Sequence, residues 1–375
     1  MTQLLLSSVH EVRRAARPIL DRTRQELAPA LSEAVRELDG REPMLGRIIG
    51  YHLGLNDADG HPEAGDDGGI AGTMCLTALA ARAVGTDSAL STACAVAMEL
   101  AKDYTQLQDD IIDDDPVRRG RASAWQVFGV GPTILAADAT RALAMDLLAA
   151  QQPHGTAAMW HLQAALDRCT IGQAQDFATS ARPWRGPKAV SLEEYRVIAG
   201  NKTSAILSCV LSLGAVANGC DADTVNRLRQ AGRHLGMAWQ PLDDILDLWC
   251  EQTEGDLPQG CNDLAQGKKT FPVIVALAAA AHAEPLGALL AARPRTADQV
   301  RAAADLIAAA GGRTAAEAEA RDHFQAAMTV LAGTSLEEST RADLITLACM
   351  IGIRGSNQTL TIAFPTPTRS PEVAP

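Results

Sequence analysis

Five aspartates fall within seven residues at Asp109, Asp110, Asp113, Asp114 and Asp115, in the run Gln108-Asp-Asp-Ile-Ile-Asp-Asp-Asp-Pro-Val-Arg-Arg-Gly120. On a helix, Asp109 and Asp113 lie one turn apart on one face, with Asp110 beside them. Such carboxylates repel one another unless a strong positive charge sits among them, and clustered hard oxygens are what Mg²⁺ takes, shared with waters and substrate phosphates. A frayed acidic helix end would equally account for Pro116 and Gly120. A second cluster of the same spacing follows 134 residues later, in Gly236-Met-Ala-Trp-Gln240-Pro-Leu-Asp243-Asp244-Ile-Leu-Asp247. Two such clusters on facing helices can clamp a metal-bound diphosphate between them.

These residues need a frame to hold them. The chain has 375 residues, 47% of them hydrophobic, enough for a large core. A formal net charge of −12 argues against nucleic acid as a partner, yet an acidic protein still binds diphosphate when metal ions supply the charge. No stretch reaches the roughly 18 uninterrupted apolar residues of a membrane span, and the first residues do not have the order of a signal peptide. The expected location is therefore cytoplasmic. The eight cysteines show no paired spacing and sit among Ala, Leu and Val, as reduced small hydrophobes do.

Apolar residues recur at three- and four-residue spacing along most of the chain, and no strand-like alternation of any length appears. The pattern predicts helices over 7–38, 44–53, 71–84, 88–113, 133–151, 157–178 and from the capping box Ser191–Glu194 to Val216. Others follow over 223–249, then directly after the polar loop 256–270, and over 297–310, 313–332 and 336–353. The loop 56–69 contains His61, which reads as a solvated side chain. Asp176 and Lys202 each stand in apolar surroundings where a charge needs a partner. One domain over 1–354 is expected, with a disordered Pro/Ser/Thr-rich tail over 355–375.

Taken together, the two aspartate motifs, Asp115-x-x-Arg118-Arg119-Gly120, Gly172-Gln173-x-x-Asp176, Lys202-Thr203, Gly236-x-x-x-Gln240 and Gly267-Lys268-Lys269-Thr270 resemble the trans-isoprenyl diphosphate synthases, or polyprenyl synthetases, over residues 7–353. The resemblance implies an all-α, isoprenoid-synthase-type bundle around a central cavity, usually a homodimer, with the two motifs facing each other at the mouth. It implies that Asp109, Asp110, Asp113, Asp243, Asp244 and Asp247 hold Mg²⁺, three ions in all, with Gln173 and Asp176 supporting that rim. Arg118, Lys202 and Lys268 would contact the diphosphate of an allylic prenyl substrate, and Thr203 and Gln240 belong to the same substrate site. Tyr104, five residues before Asp109, stands where the family places the side chain that floors the prenyl pocket, which suggests a farnesyl- or geranylgeranyl-length chain.

The departures are concentrated at one place. Chain-elongating members carry Gly-Gly-Lys-x-x-Arg-Pro to hold the second substrate, isopentenyl diphosphate; here the run is Gly68-Gly-Ile70-Ala-Gly-Thr73-Met74. The family's histidine seven residues before the first aspartate is Lys102, while Arg119 is retained. Charge-assisted bonds contribute on the order of 1.5–3 kcal/mol each, so two lost cations would weaken that diphosphate's binding by about two to four powers of ten. The expectation is accordingly a terpene cyclase that ionises one prenyl diphosphate and quenches the cation without isopentenyl diphosphate. Three alternatives are a chain-elongating farnesyl or geranylgeranyl diphosphate synthase, a prenyltransferase to another acceptor, and an inactive partner subunit.

Overall fold

The computed structural model describes residues 9–63, 72–249, 263–279, 283–294 and 296–352. Ile70, the cysteines at 250 and 261, and the tail over 355–375 lie outside them. The described chain is helical almost throughout, as the apolar spacing predicts. In order the helices are α1 (Val9–Arg41), α2 (Pro43–Leu53), α3 (Gly72–Ala83), α4 (Ser88–Ile112), α5 (Ala124–Phe128), α6 (Val130–Ala149), α7 (Gly155–Ser180) and α8 (Leu192–Ala199). There follow α9 (Ala205–Ala217), α10 (Ala222–Leu248), α11 (Asp263–Gln266), α12 (Phe271–Ala278), α13 (Ala283–Ala291), α14 (Ala297–Ala309), α15 (Gly312–Ala332) and α16 (Glu338–Gly352).

The bundle is organised around α9, in which every residue but Val216 is buried. A helix that is apolar on all sides belongs at the centre, and α3, α4, α7 and α10 pack around it. The continuous run Leu192–Ala217 is long and apolar enough to cross a membrane, but 67% of it is buried inside the fold, as befits a core helix. A second apolar cluster, from Leu248, Leu264, Val273, Leu286 and Val300, packs α12, α13 and α14 beside the end of α10.

Sequence-readable caps mark several helix starts. Asp87 and Asp221 accept the N–H groups of Leu90 and Thr224, and Ser191 and Glu194 form the expected reciprocal box. Two departures matter for the site. The helix continuing past Ala199 widens into a π-helical turn over Gly200–Ser204, and the Arg-Arg-Gly segment is a small antiparallel hairpin of β1 (Val117–Arg118) and β2 (Arg121–Ala122). The alternation rule could not find strands of two residues. The described cysteines are free thiols, and burial raises those of Cys75, Cys94, Cys169, Cys209 and Cys349, in keeping with their apolar surroundings.

Candidate active site

α4 ends at its aspartates: Asp113 is the C-cap, and the next residue, Asp114, already has φ 53°. The chain then turns back through the hairpin, whose tip holds Arg119 at φ 54° and Gly120 at φ 75°. Left-handed backbone is easy for glycine and costs an arginine about 1 kcal/mol or more. That geometry sends consecutive arginines to different places. Arg118 Nε donates to Asp110 Oδ1 at 2.7 Å, with a second bond from its Nη2. Arg119 donates to the His52 carbonyl and to Gln106 Oε1, both at 3.0 Å.

Lys202 sits in the middle of the π-turn. Two glycines let neighbouring helices reach it: a Cβ on Gly172 of α7 would lie 2.4 Å from the Lys202 nitrogen, and one on Gly236 of α10 would lie 2.3 Å from the Ser204 Cα. Such approaches exclude any side chain. With the backbones this close, Lys202 Nζ lies 3.0 Å from Asp176 and 3.6 Å from Asp109. Both isolated charges of the sequence therefore find partners, and each other is one of them. Thr203 donates to Gln240 Oε1, which ties the π-turn to α10.

Lys268 bridges the two aspartate clusters. Its Nζ lies 2.6 Å from Asp113 Oδ2 and 3.2 Å from Asp263 Oδ1, while the Asp263 N–H donates to Asp247 at 3.3 Å. Gln266 also donates to the Asp113 carbonyl. Next in sequence, Lys269 is buried over the Trp184 ring at 3.7 Å and donates to the carbonyls of Ser180 and Gly267; burial lowers it to about 8. It braces the segment that delivers Lys268.

These residues line one cavity of about 1440 Å³, together with Tyr104, Gln173, Trp239, Asp243 and Asp247. Of the residues selected from the sequence, Asp110 alone is not on its wall. Asp110 is buried behind it, with Oδ1 held by Arg118 and Oδ2 without a hydrogen bond. Asp244 also differs from its neighbours: it accepts the Tyr195 hydroxyl at 2.7 Å, the Phe271 N–H at 2.8 Å and Gln240 Nε2 at 3.1 Å. Its carboxylate is spent on joining α8, α10 and α12. Gln173 Oε1 is buried without a hydrogen bond beside the rim.

The electrostatics of this end are strongly negative. Asp109, Asp113, Asp176, Asp243, Asp247 and Asp263 face the cavity against Arg118, Lys202 and Lys268. Burial, and then the Asp109 charge, raise Asp113 to about 6 despite Lys268. Burial and Asp263 raise Asp247 well above the carboxylate range and Asp244 to about 7. Asp109 goes the other way, because Lys202, Lys268 and Arg118 outweigh its burial. Crowded carboxylates with raised pKa values, plus an unpartnered buried oxygen on Asp110, fit hard divalent cations. Asp109, Asp113, Asp243 and Asp247, all on the cavity wall, are the carboxylates that would hold them.

The other end of the cavity is built differently. Lys102 is ion-paired with Glu99 and lies 3.5 Å from Asp103, and Thr73 Oγ1 donates to Glu99 at 3.2 Å. Arg119 and His52 lie 3.6 and 3.5 Å from the same Asp103. Glu99 and Asp103 are fully buried. Burial alone would raise Asp103, but Lys102, His52 and Arg119 hold it at about 2. Sequence reasoning had no signal for His52, Glu99 or Asp103. Asp263 was detectable, as an acid five residues before Lys268 in a polar loop.

The polyprenyl synthetase family model matches residues 70–307. The chain belongs to the polyprenyl synthetase family. It is accordingly an enzyme that uses prenyl diphosphates. A geranylgeranyl diphosphate synthase of Mycobacterium tuberculosis is 36% identical over 89% of this chain and 92% of its own. A (2E,6E)-farnesyl diphosphate synthase of Mycobacterium bovis is 32% identical over 88% and 91%. A polyprenyl synthetase crystal structure from Streptomyces coelicolor A3(2) superposes with a TM-score of 0.78 at 35% identity, covering 90% of this chain and 99% of the other. These similarities overturn the expectation of a cyclase that dispenses with isopentenyl diphosphate, because relatives matching almost end to end are chain-elongating synthases. The inference from Ile70 and Thr73 counted motif cations alone. It gave too little weight to Lys102 and Arg119, the two cations that the resemblance places in the same pocket and that lie beside Asp103.

Proposed function

We propose that the protein is a chain-elongating prenyl diphosphate synthase, joining an allylic diphosphate to isopentenyl diphosphate to make farnesyl or geranylgeranyl diphosphate. The observation that carries the reading is one cavity with a carboxylate-rich end and a second end where Lys102 and Arg119 gather, in a chain similar along nearly its whole length to synthases of those two products. Magnesium at Asp109, Asp113, Asp243 and Asp247 would supply the charge neutralisation that lets the allylic diphosphate depart.

The protein's own groups do the rest. Lys202, Lys268 and Arg118 hold and orient that diphosphate, and apolar walls including Leu76, Ile206 and Leu207 keep water from the reacting carbon. As the carbon–oxygen bond breaks, the double bond of isopentenyl diphosphate attacks the allylic carbon. A proton is then lost to restore a double bond, and the released diphosphate is the nearest available base. Tyr104, buried under the Arg141 guanidinium at 5.4 Å, stands as the floor that stops the growing chain. Exposed apolar side chains on the adjoining helices α5, α6 and α7, among them Leu135 at 58% and Trp160 at 63%, favour a homodimer.

The test is incubation of the purified protein with Mg²⁺ and geranyl or farnesyl diphosphate, with and without isopentenyl diphosphate, followed by product analysis. Longer diphosphates formed only with isopentenyl diphosphate are expected. Hydrocarbons or alcohols formed equally without it would refute the reading. Light scattering at a monomer mass would remove the dimer.

A further inference from the structure

We propose that Arg13, on α1 and outside every family motif, supplies the uncompensated positive charge that holds the diphosphate of isopentenyl diphosphate. The proposal rests on the chain-elongating reading and names a residue that the motifs do not contain.

The argument begins with charges at the second end. Lys102 and Arg119 are its motif-position cations, and each is already matched. Lys102 is paired with buried Glu99, and Arg119 shares buried Asp103 with Lys102 and His52. Both acids remain within the same cluster, so two positive charges are offset by two negative ones. Thr73, where the family has an arginine, gives its hydroxyl to Glu99 and adds no charge. A multiply charged diphosphate arriving here would meet fixed hydrogen-bond donors and almost no net attraction.

The remaining cations on the wall are committed elsewhere. Arg118, Lys202 and Lys268 are held by aspartates at the opposite end, and Lys269 by two carbonyls and Trp184. Arg13 is different. Its side chain is exposed, lines the cavity with Gly72, Thr73 and Lys102, and makes no hydrogen bond or ion pair among the described residues. Arg13 and Leu20 are seven residues apart, hence on one face of α1, and both line that wall. The helix itself is seated by Val12, Ala16 and Ile19 in the core, and it packs on α3, α4 and α16. A rigid helix thus presents a free guanidinium whose fork matches two phosphate oxygens.

The test uses the full chain with Mg²⁺ and saturating allylic diphosphate. In Arg13→Gln the KM for isopentenyl diphosphate should rise about tenfold or more, while kcat and the allylic KM stay within about twofold; Arg13→Lys should recover most of the loss. Calorimetry with isopentenyl diphosphate alone should show the same weakening. An unchanged KM, or equal rises in both KM values, would overturn the proposal. Failure of the parent reading looks different: the unmutated enzyme would then neither elongate nor bind isopentenyl diphosphate, and both inferences would fall together.

Discussion

At one end of the cavity the aspartates outnumber Arg118, Lys202 and Lys268; at the other, two buried carboxylates meet two cations and a histidine, with Arg13 unpaired among the described residues. Both ends are read here as binding a diphosphate, yet only the first is too negative to do so unaided. Carboxylates that repel an anion directly can attract it through shared metal ions, whereas Lys and Arg attract it without help. The difference separates ionisation from mere holding. On the proposed reaction the carboxylate-rich end would be where a bond must break, while the second substrate would keep its diphosphate throughout.

That contrast can be broken in several places. The largest effect is expected from Asp109→Ala or Asp243→Ala, which should lower kcat by about three powers of ten or more with helix content unchanged by circular dichroism. Full turnover in either variant would remove the metal clamp. Next, Lys268→Gln severs the bridge between the clusters and should reduce kcat/KM for the allylic substrate by about 10- to 100-fold while leaving the KM for isopentenyl diphosphate nearly unchanged. A loss shared by both substrates would mean the ends are not separate.

Thr73→Arg sharpens the comparison from the other side. It restores a cation at the second end and should lower the KM for isopentenyl diphosphate by about three- to tenfold; a rise would show that Glu99 captures the new charge. Tyr195→Phe removes a donor from buried Asp244 and should cost about 1–3 kcal/mol in chemical denaturation, with the allylic KM less affected.

The smallest effect belongs to neither end. His161 hydrogen-bonds with Ser212 Oγ at 2.7 Å, and burial lowers its pKa to about 4. An unfolded chain protonates such an imidazole near pH 6.5, so its contribution to stability is present above about 6.5 and lost as pH falls toward 4. His161→Gln should flatten that decline in thermal melts by about 1–2 kcal/mol, after allowing for partial exposure.

The first end was far more legible in the sequence than the second. Its acids and lysines occur in short motifs whose spacing maps onto helix faces, so Asp109, Asp113, Lys202 and Lys268 could be named, and their convergence follows from the bundle. Helix positions were also readable, because α9 and its neighbours carry long apolar runs and caps such as Ser191. What escaped were features set by tertiary contact. Asp244 has the motif's spacing, but Tyr195 and the Phe271 N–H turn it to a structural task. Short elements such as α5, α11 and the hairpin lack a measurable period. Nothing local in His52, Asp103 or Arg119 announces their meeting, since they come from α2, α4 and the hairpin.

The π-turn at Gly200–Ser204 carries a consequence for how the gene can vary. One residue advances an α-helix by about 100°, so a single-codon deletion that straightened this turn would rotate Tyr195 and Lys202 relative to α9 and could not be absorbed by side-chain adjustment. Substitutions on the outer face of α8 leave that phase intact. A mutational scan should therefore find the stretch tolerant of many exchanges and intolerant of any change in length, the reverse of an ordinary surface loop.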